Sequence, residues 1–415
     1  MKKTRHVGKG RVFLDHASST PIRREVLDTM RSYEDGNFPL NSAGSGVGRT
    51  FTNVNVLANP SALYAEARKA KEFLISARKD VARALNTSAG QIVFTSGGTE
   101  ANNLALLGVF EKARQNGITR PHIISLATEH PAIREVLKEI ERRGGDVTLV
   151  PPLSDGRVNI KNIEEALTPH TVLVSVMYVN NEIGVVQPIR DIAQLLKLKN
   201  KDRAHKIYFH TDACQVPLWY GLDMSTLGVD LLSLDGLKIG GPRGIGCLYV
   251  KGSTEISPIM WGGGQENSLR SGTEPVSLCL GFACALTLAK AERKEVSDRV
   301  KTLRDSLWEK IQKEFPEATL NGSYEYRAPN NLNVCFKGVD AEYLTVALDT
   351  YGVCVSYSSS CRTLKEDSTS YVVEALSQEC KGSSIRFTLG IDTTQEDVAF
   401  AVKALKKAVI QATLI

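Results

Sequence analysis

Short apolar runs of strand length alternate with helix-period segments between about residues 60 and 250, and this alternation constrains the fold most. The runs cover residues 92–95, 123–127, 147–150, 172–178, 207–210, 231–234 and 246–250. Ahead of them, Leu63, Ala67, Ala70, Leu74, Ala77, Val81 and Leu85 recur at steps of three and four. That is the period of a helix buried along one face, and Asn59-Pro60-Ser61 supplies its start. Residues 132–142 and 189–198 carry the same period between strand runs. Strands separated by helices build βαβ units, so the expected class is α/β, a mostly parallel sheet flanked by helices.

The pattern changes near residue 275. A long helical stretch over 276–315 leads to strand-like runs at 331–336 and 384–389 and a final helix over 396–413. The reading is a large domain over residues 16–275 and a smaller α+β domain over 276–415, with residues 1–15. By pattern alone, the strand-like piece at 11–14 suits either unit.

Charge narrows the partners. Lys and Arg number 51 against 46 Asp and Glu, a balance of +5 without long like-sign blocks. That is too weak a footprint for direct nucleic-acid binding. The most apolar stretch, 278–289, falls far short of the roughly 20 residues a membrane span needs. The basic start, MKKTRHVGKGRV, has no apolar region behind it and reads as a solvated tail on a cytoplasmic protein. The eight cysteines form no CxxC pair, which argues against a zinc or redox-pair site. They are expected to be free thiols, most of them buried as small hydrophobes.

Ligands of open parallel sheets bind beyond the carboxyl ends of the strands, so the residues just past each run are the informative ones. Ser96-Gly97-Gly98-Thr99-Glu100 comes after the first, and Thr128-Glu129-His130-Pro131 after the second. Later runs lead to Asn180-Asn181-Glu182, to Asp212 with Gln215, and to Asp235-Gly236-Leu237-Lys238. Each has a plain alternative: a tight turn at Ser96–Thr99, a core histidine at His130, a helix cap at Asp212, a surface lysine at Lys238. Taken together they supply the groups pyridoxal phosphate requires. Helix N-terminal amides attract phosphate, a lysine bonds the aldehyde, and an acid partners the ring nitrogen.

At this point the chain resembles a known family, the cysteine desulfurases of the iron–sulfur-cluster and nitrogen-fixation type, which are class V, fold type I pyridoxal-phosphate enzymes. Leu14-Asp15-His16-Ala17-Ser18-Ser19-Thr20-Pro21 resembles the family's opening LDxAATTP. Phe94-Thr95-Ser96-Gly97-Gly98-Thr99-Glu100 resembles FTSGATE, and Glu129-His130-Pro131 its EHP. Asn180-Asn181-Glu182-Ile183-Gly184 with Gln187-Pro188 resembles NNEIG..QP. Asp212-Ala213-Cys214-Gln215, Lys238 before GGPRGIG, Gly262-Gly263-Gly264-Gln265-Glu266, Arg270-Ser271-Gly272-Thr273 and Ser384-Ile385-Arg386-Phe387 complete the series.

The resemblance implies roles. Lys238 would hold the cofactor and later move protons. His130 would stack on its ring and assist proton transfer, Asp212 would pair with the ring nitrogen, and Gln215 would bond the phenolic oxygen. Gly98 and Thr99 would hold the phosphate, with Thr273 reaching it from a second subunit of a homodimer. Arg386 and Asn181 would bind the substrate carboxylate, a task that suits the bidentate guanidinium fork.

Cys361, in Ser358-Ser359-Ser360-Cys361-Arg362, stands where the family places its sulfur-accepting nucleophile, and Arg362 beside it favours the thiolate. The implied reaction takes sulfur from L-cysteine, leaving L-alanine and a Cys361 persulfide for a sulfur-acceptor protein. The chain also departs from the family. Its usual Ser-x-His-Lys is Asp235-Gly236-Leu237-Lys238, which puts a carboxylate and an apolar side chain at positions implied to contact the cofactor phosphate. Two alternatives stay open: a weakly active or non-catalytic relative acting as a binding partner, which those departures motivate, or another class V reaction such as selenocysteine cleavage or transamination.

Overall fold

A computed structural model of the chain describes residues 10–36, 58–357, 370–376 and 378–413. Strand β1 (Val12–Phe13) and helix α1 (Arg24–Glu34) open it. The alternation then unfolds as α2 (Ala65–Ala84), β2 (Ile92–Thr95), α3 (Gly98–Gln115), β3 (His122–Leu126), α4 (Pro131–Arg142) and β4 (Asp146–Val150). It continues through α5 (Ile160–Ala166), β5 (Thr171–Ser175), α6 (Ile189–Lys199), β6 (Tyr208–Asp212), α7 (Met224–Leu227), β7 (Leu231–Asp235) and β8 (Gly246–Val250).

These strands form one seven-stranded sheet in the order β2-β8-β7-β6-β5-β3-β4. β8 runs antiparallel to β2 and β7, and every other pair is parallel. No crossover helix separates β7 from β8, and a short connection can only double the chain back. Neighbouring strand residues feed opposite cores. Val93, Ile123, Leu173 and Leu231 join the apolar layer of α3 and α4, while Phe94, Ile124, Val174 and Leu232 join that of α2 and α8 (Val276–Glu314). Side chains alternate across a strand, so a sheet covered on both faces needs runs apolar at every position.

Helix α8 is 39 residues long, about 58 Å at 1.5 Å per residue. Near its start Gly281 lies against Met30 of α1, and Lys290 Nζ donates to the Arg83 carbonyl of α2. Pro316 comes just past its last turn and stops it. Beyond it come β9 (Thr319–Leu320), β10 (Asn331–Cys335), α9 (Ala341–Thr350), β11 (Val353–Cys354), α10 (Tyr371–Glu374), β12 (Ser384–Thr388) and α11 (Gln395–Thr413). β10 is the centre of a three-stranded antiparallel sheet between β9 and β12. β1 pairs in parallel with β11, and Asp15 bridges to Thr388 at the end of β12. The N-terminal strand therefore sits with the C-terminal elements and delivers residues 17–20 to the carboxyl ends of β6 and β7 in the large sheet.

Two sequence expectations are corrected. The run at 172–178 is a shorter strand, β5 ending at Ser175, although Val176 and Tyr178 still donate to the carbonyls of His210 and Asp212. The cysteines are not all free. Cys335 and Cys380 form a disulfide with Cα atoms 5.6 Å apart, while Cys214, Cys247, Cys279, Cys284 and Cys354 are free. The pairing of β10 with β12 places Cys335 opposite Ser384, and this brings Cys380 within bridging distance. With a sequence separation of 45 between the two cysteines, no local spacing reveals the bond. Cys361 and the basic N-terminal residues 1–9 lie outside the described residues. Among the described residues, no helix is long and apolar enough to cross a membrane.

Candidate active site

The carboxyl ends of β3, β6 and β7, with the start of α3 and Arg386 at the middle of β12, line a cavity of about 240 Å³. Lys238 reaches it from a single 3-10 turn, Gly236–Lys238, immediately after β7. The turn is tight because Gly236 carries no Cβ, which would lie 2.8 Å from the Pro242 carbonyl. Lys238 Nζ crosses to the N-terminal segment and donates to the carbonyls of Ala17 at 2.9 Å and Ser18 at 2.6 Å. Gln215 Nε2 donates to the same Ala17 carbonyl at 2.8 Å.

Asp212 closes β6, and both its oxygens are held. Oδ2 accepts from Asn102 Nδ2 at 2.7 Å, and Oδ1 accepts from the Cys214 amide at 3.0 Å. Asn102 stands four residues after Gly98, one turn along α3, so the helix aims both at the cavity. His130 caps α4, its Nδ1 accepting from the Ala132 amide at 3.1 Å. An accepting Nδ1 leaves the neutral ring's proton on Nε2. Burial lowers the affinity of His130 for a second proton, with Asp212 working weakly the other way. The buried Glu129 beside it accepts from the Met177 amide at 2.7 Å, and burial pushes its carboxyl well above the ordinary range. Burial likewise keeps Cys214, which lines the cavity, a protonated thiol.

Arg386, on β12, is 2% exposed. Its Nη1 donates to the Asn181 carbonyl at 3.0 Å and its Nη2 to Asp15 Oδ1 at 2.7 Å, while Nε has no hydrogen-bond partner among the described residues. At the other end, α3 opens with Gly98 buried and Thr99 exposed. A Cβ added to Gly98 would lie 2.6 Å from Cys214 Sγ. Asp235 Oδ2 accepts from the Gly98 amide at 3.0 Å, and Oδ1 from the Leu237 amide at 2.8 Å.

The cavity thus gathers Lys238, His130, Asp212, Gln215 and Asp235, together with Gly98, Thr99, Asn181 and Arg386. It does not gather Thr273, which is exposed and away from the lining. Sequence reasoning assigned no role to Asn102, Asp15, Glu129 or Cys214. Asn102 was detectable from its helical spacing to Gly98, and Asp15 and Glu129 from lying inside recognised motifs. Cys214 carries no signal beyond its place after Asp212.

The fold and this convergence define a pyridoxal-phosphate enzyme of the aminotransferase class-V family, whose profile matches residues 12–400, and the chain belongs to that family. Within it, the chain is 35% identical over 403 residues to the cysteine desulfurase IscS of Dictyoglomus turgidum, covering 97% of this chain and 95% of the relative. A solved structure titled as a NifS-like protein superposes with a TM-score of 0.85 at 29% identity, covering 97% of this chain and all of that one. SspA, solved in complex with cysteine, superposes at a TM-score of 0.74 with 30% identity, covering 91% of this chain and 98% of SspA.

The residues present fit the family's cofactor. Lys238 offers a primary amine to its aldehyde, Asp212 an acceptor to its ring nitrogen, and His130 a neutral ring to its face. A Cβ on Gly98 would meet Cys214 Sγ, so glycine is what lets the first amide of α3 face the cavity, where Asp235 Oδ2 accepts from it.

Proposed function

We propose that this chain is a pyridoxal-phosphate-dependent cysteine desulfurase that converts L-cysteine to L-alanine and leaves the sulfur as a persulfide on Cys361. One observation carries the reading: an amine, a held carboxylate and a neutral imidazole share a cavity with a buried arginine, Arg386. Full-length similarity to cysteine desulfurases supports it.

Pyridoxal phosphate on Lys238 supplies an electron sink for the bond broken at the substrate's α-carbon. Asp212, braced by Asn102 and the Cys214 amide, would hold the proton on the cofactor's ring nitrogen. Lys238 Nζ takes the α-proton and returns a proton to the product, with His130 Nε2–H as a second donor. Arg386 and the side chain of Asn181 orient the substrate carboxylate. The Cys361 thiolate attacks the substrate sulfur, an S–S bond forms as the C–S bond breaks, and the carbon product gains the proton the thiol lost. Cysteine and enzyme thiol thereby become alanine and enzyme persulfide with no external oxidant. A sulfur-acceptor protein, of the kind that serves iron–sulfur cluster assembly, then takes the persulfide sulfur.

A homodimer belongs to this reading. Thr273 is exposed, and Met260 and Trp261 leave 43% and 79% of their surface open close by in sequence, an apolar face a second copy would cover. So do the cytoplasmic setting and the division into units at 16–275 and 276–415 with 1–15, which the separation of the seven-stranded sheet from the three-stranded sheet and the β1–β11 pair supports.

A second reading, a non-catalytic relative, is favoured by Asp235 standing on the Gly98 amide. The visible absorption spectrum of the purified protein separates the two. A cofactor band that shifts on adding L-cysteine, with alanine released, supports the desulfurase; a band indifferent to cysteine refutes it.

A further inference from the structure

We infer that Asp235 sets this chain's cofactor affinity by competing with a phosphate group for the first amide of α3. The inference rests on the cofactor reading of the cavity. A helix N-terminus binds phosphate through free N–H groups that point at the ligand. Here the Gly98 amide already donates to a carboxylate oxygen of Asp235 at 3.0 Å. The second oxygen accepts from the Leu237 amide at 2.8 Å, so the side chain is fixed by backbone donors on both sides.

One N–H cannot serve two anions fully. If Asp235 stays, a phosphate loses its Gly98 donor and meets a like charge across the cradle. If Asp235 swings away, its two backbone bonds are given up as the phosphate enters. Both routes weaken phosphate binding, and Leu237 offers no side-chain donor in return. The same contact benefits the cofactor-free protein, because an acidic group at a helix N-terminus is a stabilising cap. Asp235 thus acts as a resident stand-in for phosphate, holding the cradle formed until the cofactor displaces it. Lys238 and Asp212 line the other parts of the same cavity, so the competition concerns the phosphate and not the aldehyde.

Cofactor-free wild type, Asp235→Asn and Asp235→Ser are each titrated with pyridoxal phosphate and with pyridoxal, which has the aldehyde and lacks the phosphate. Binding is followed by the cofactor's absorbance. Asn keeps the shape and an acceptor oxygen without the charge; Ser replaces the carboxylate with a shorter, uncharged hydroxyl. Pyridoxal phosphate is expected to bind about tenfold tighter in at least one variant, while pyridoxal stays within about twofold of wild type. Unchanged or weaker pyridoxal phosphate binding in both variants overturns the inference, as does an equal gain for pyridoxal. If wild type and variants bind neither compound at Lys238, the cofactor reading itself fails, a result distinct from either.

Discussion

Replacing Arg386 with lysine tests how the substrate carboxylate is held. The guanidinium is 2% exposed and splits its donors between the Asn181 carbonyl at 3.0 Å and Asp15 at 2.7 Å, which leaves the head oriented with charge to spare. An ammonium on a flexible stem keeps the charge and loses the planar fork. To serve a substrate carboxylate it must release Asp15, or keep Asp15 and bind substrate poorly. Either choice forfeits one hydrogen bond between charged groups, about 1.5 to 3 kcal/mol. At 1.4 kcal/mol per factor of ten, KM for L-cysteine rises about 10- to 150-fold. Alanine formation across a cysteine titration measures it, with the cofactor absorbance band of Arg386→Lys confirming that the site is loaded. A loaded variant whose KM stays within twofold of wild type would refute the role given to Arg386.

Other outcomes stem from burial and packing. His16 and His210 are held near pKa 4 by burial, against an ordinary 6.5. The unfolded chain takes up those protons first, so the stability from neutral burial is complete above pH 6.5 and is lost as pH falls toward 4, roughly 3 kcal/mol per ring. Denaturant unfolding at pH 7 and pH 4 should show that loss, with a shallower decline in His210→Gln; an equal decline contradicts the assignment. Gly98→Ala drives a Cβ to 2.6 Å from Cys214 Sγ and should cost about 1 to 3 kcal/mol of stability, which Gly98→Ala with Cys214→Ala recovers. Failure of the second change to restore the melting temperature would place the strain elsewhere. Wild type should scatter light as a dimer and Trp261→Glu as a monomer; a monomeric wild type with cofactor bound rules out the homodimer.

Much of the large sheet was legible because strands covered on both faces must be apolar at every position, as Val93-Phe94 and Ile123-Ile124 are. The direction of β8 was less visible, since apolarity does not encode polarity of pairing and only the missing crossover after Lys238 hints at it. Two-residue strands such as β9 and β11 carry too little pattern to be seen, and β1 was read as a strand-like piece at 11–14 whose unit the pattern left open. The site residues Lys238, His130 and Asp212 were readable at strand ends, where topology forces them together. Their braces were not. Arg386 meets Asp15 across 371 residues and Asp212 meets Asn102 across 110, contacts that only the folded chain creates. The Cys335–Cys380 bond escaped for the same reason. Asp235 was conspicuous in sequence as an acid in a phosphate position, but its hold on the Gly98 amide is a fact of geometry.

The central claim is that Lys238 and Cys361 act in one reaction on L-cysteine. Mass mapping of Cys361 after a single turnover, alongside alanine quantified in the same sample, tests it most directly. One persulfide sulfur is expected on Cys361 for each alanine formed, with alanine and persulfide both lost in Lys238→Ala, and cofactor retained but alanine lost in Cys361→Ser. Alanine formed at the wild-type rate by Cys361→Ser, or persulfide mapped to another cysteine, would contradict it.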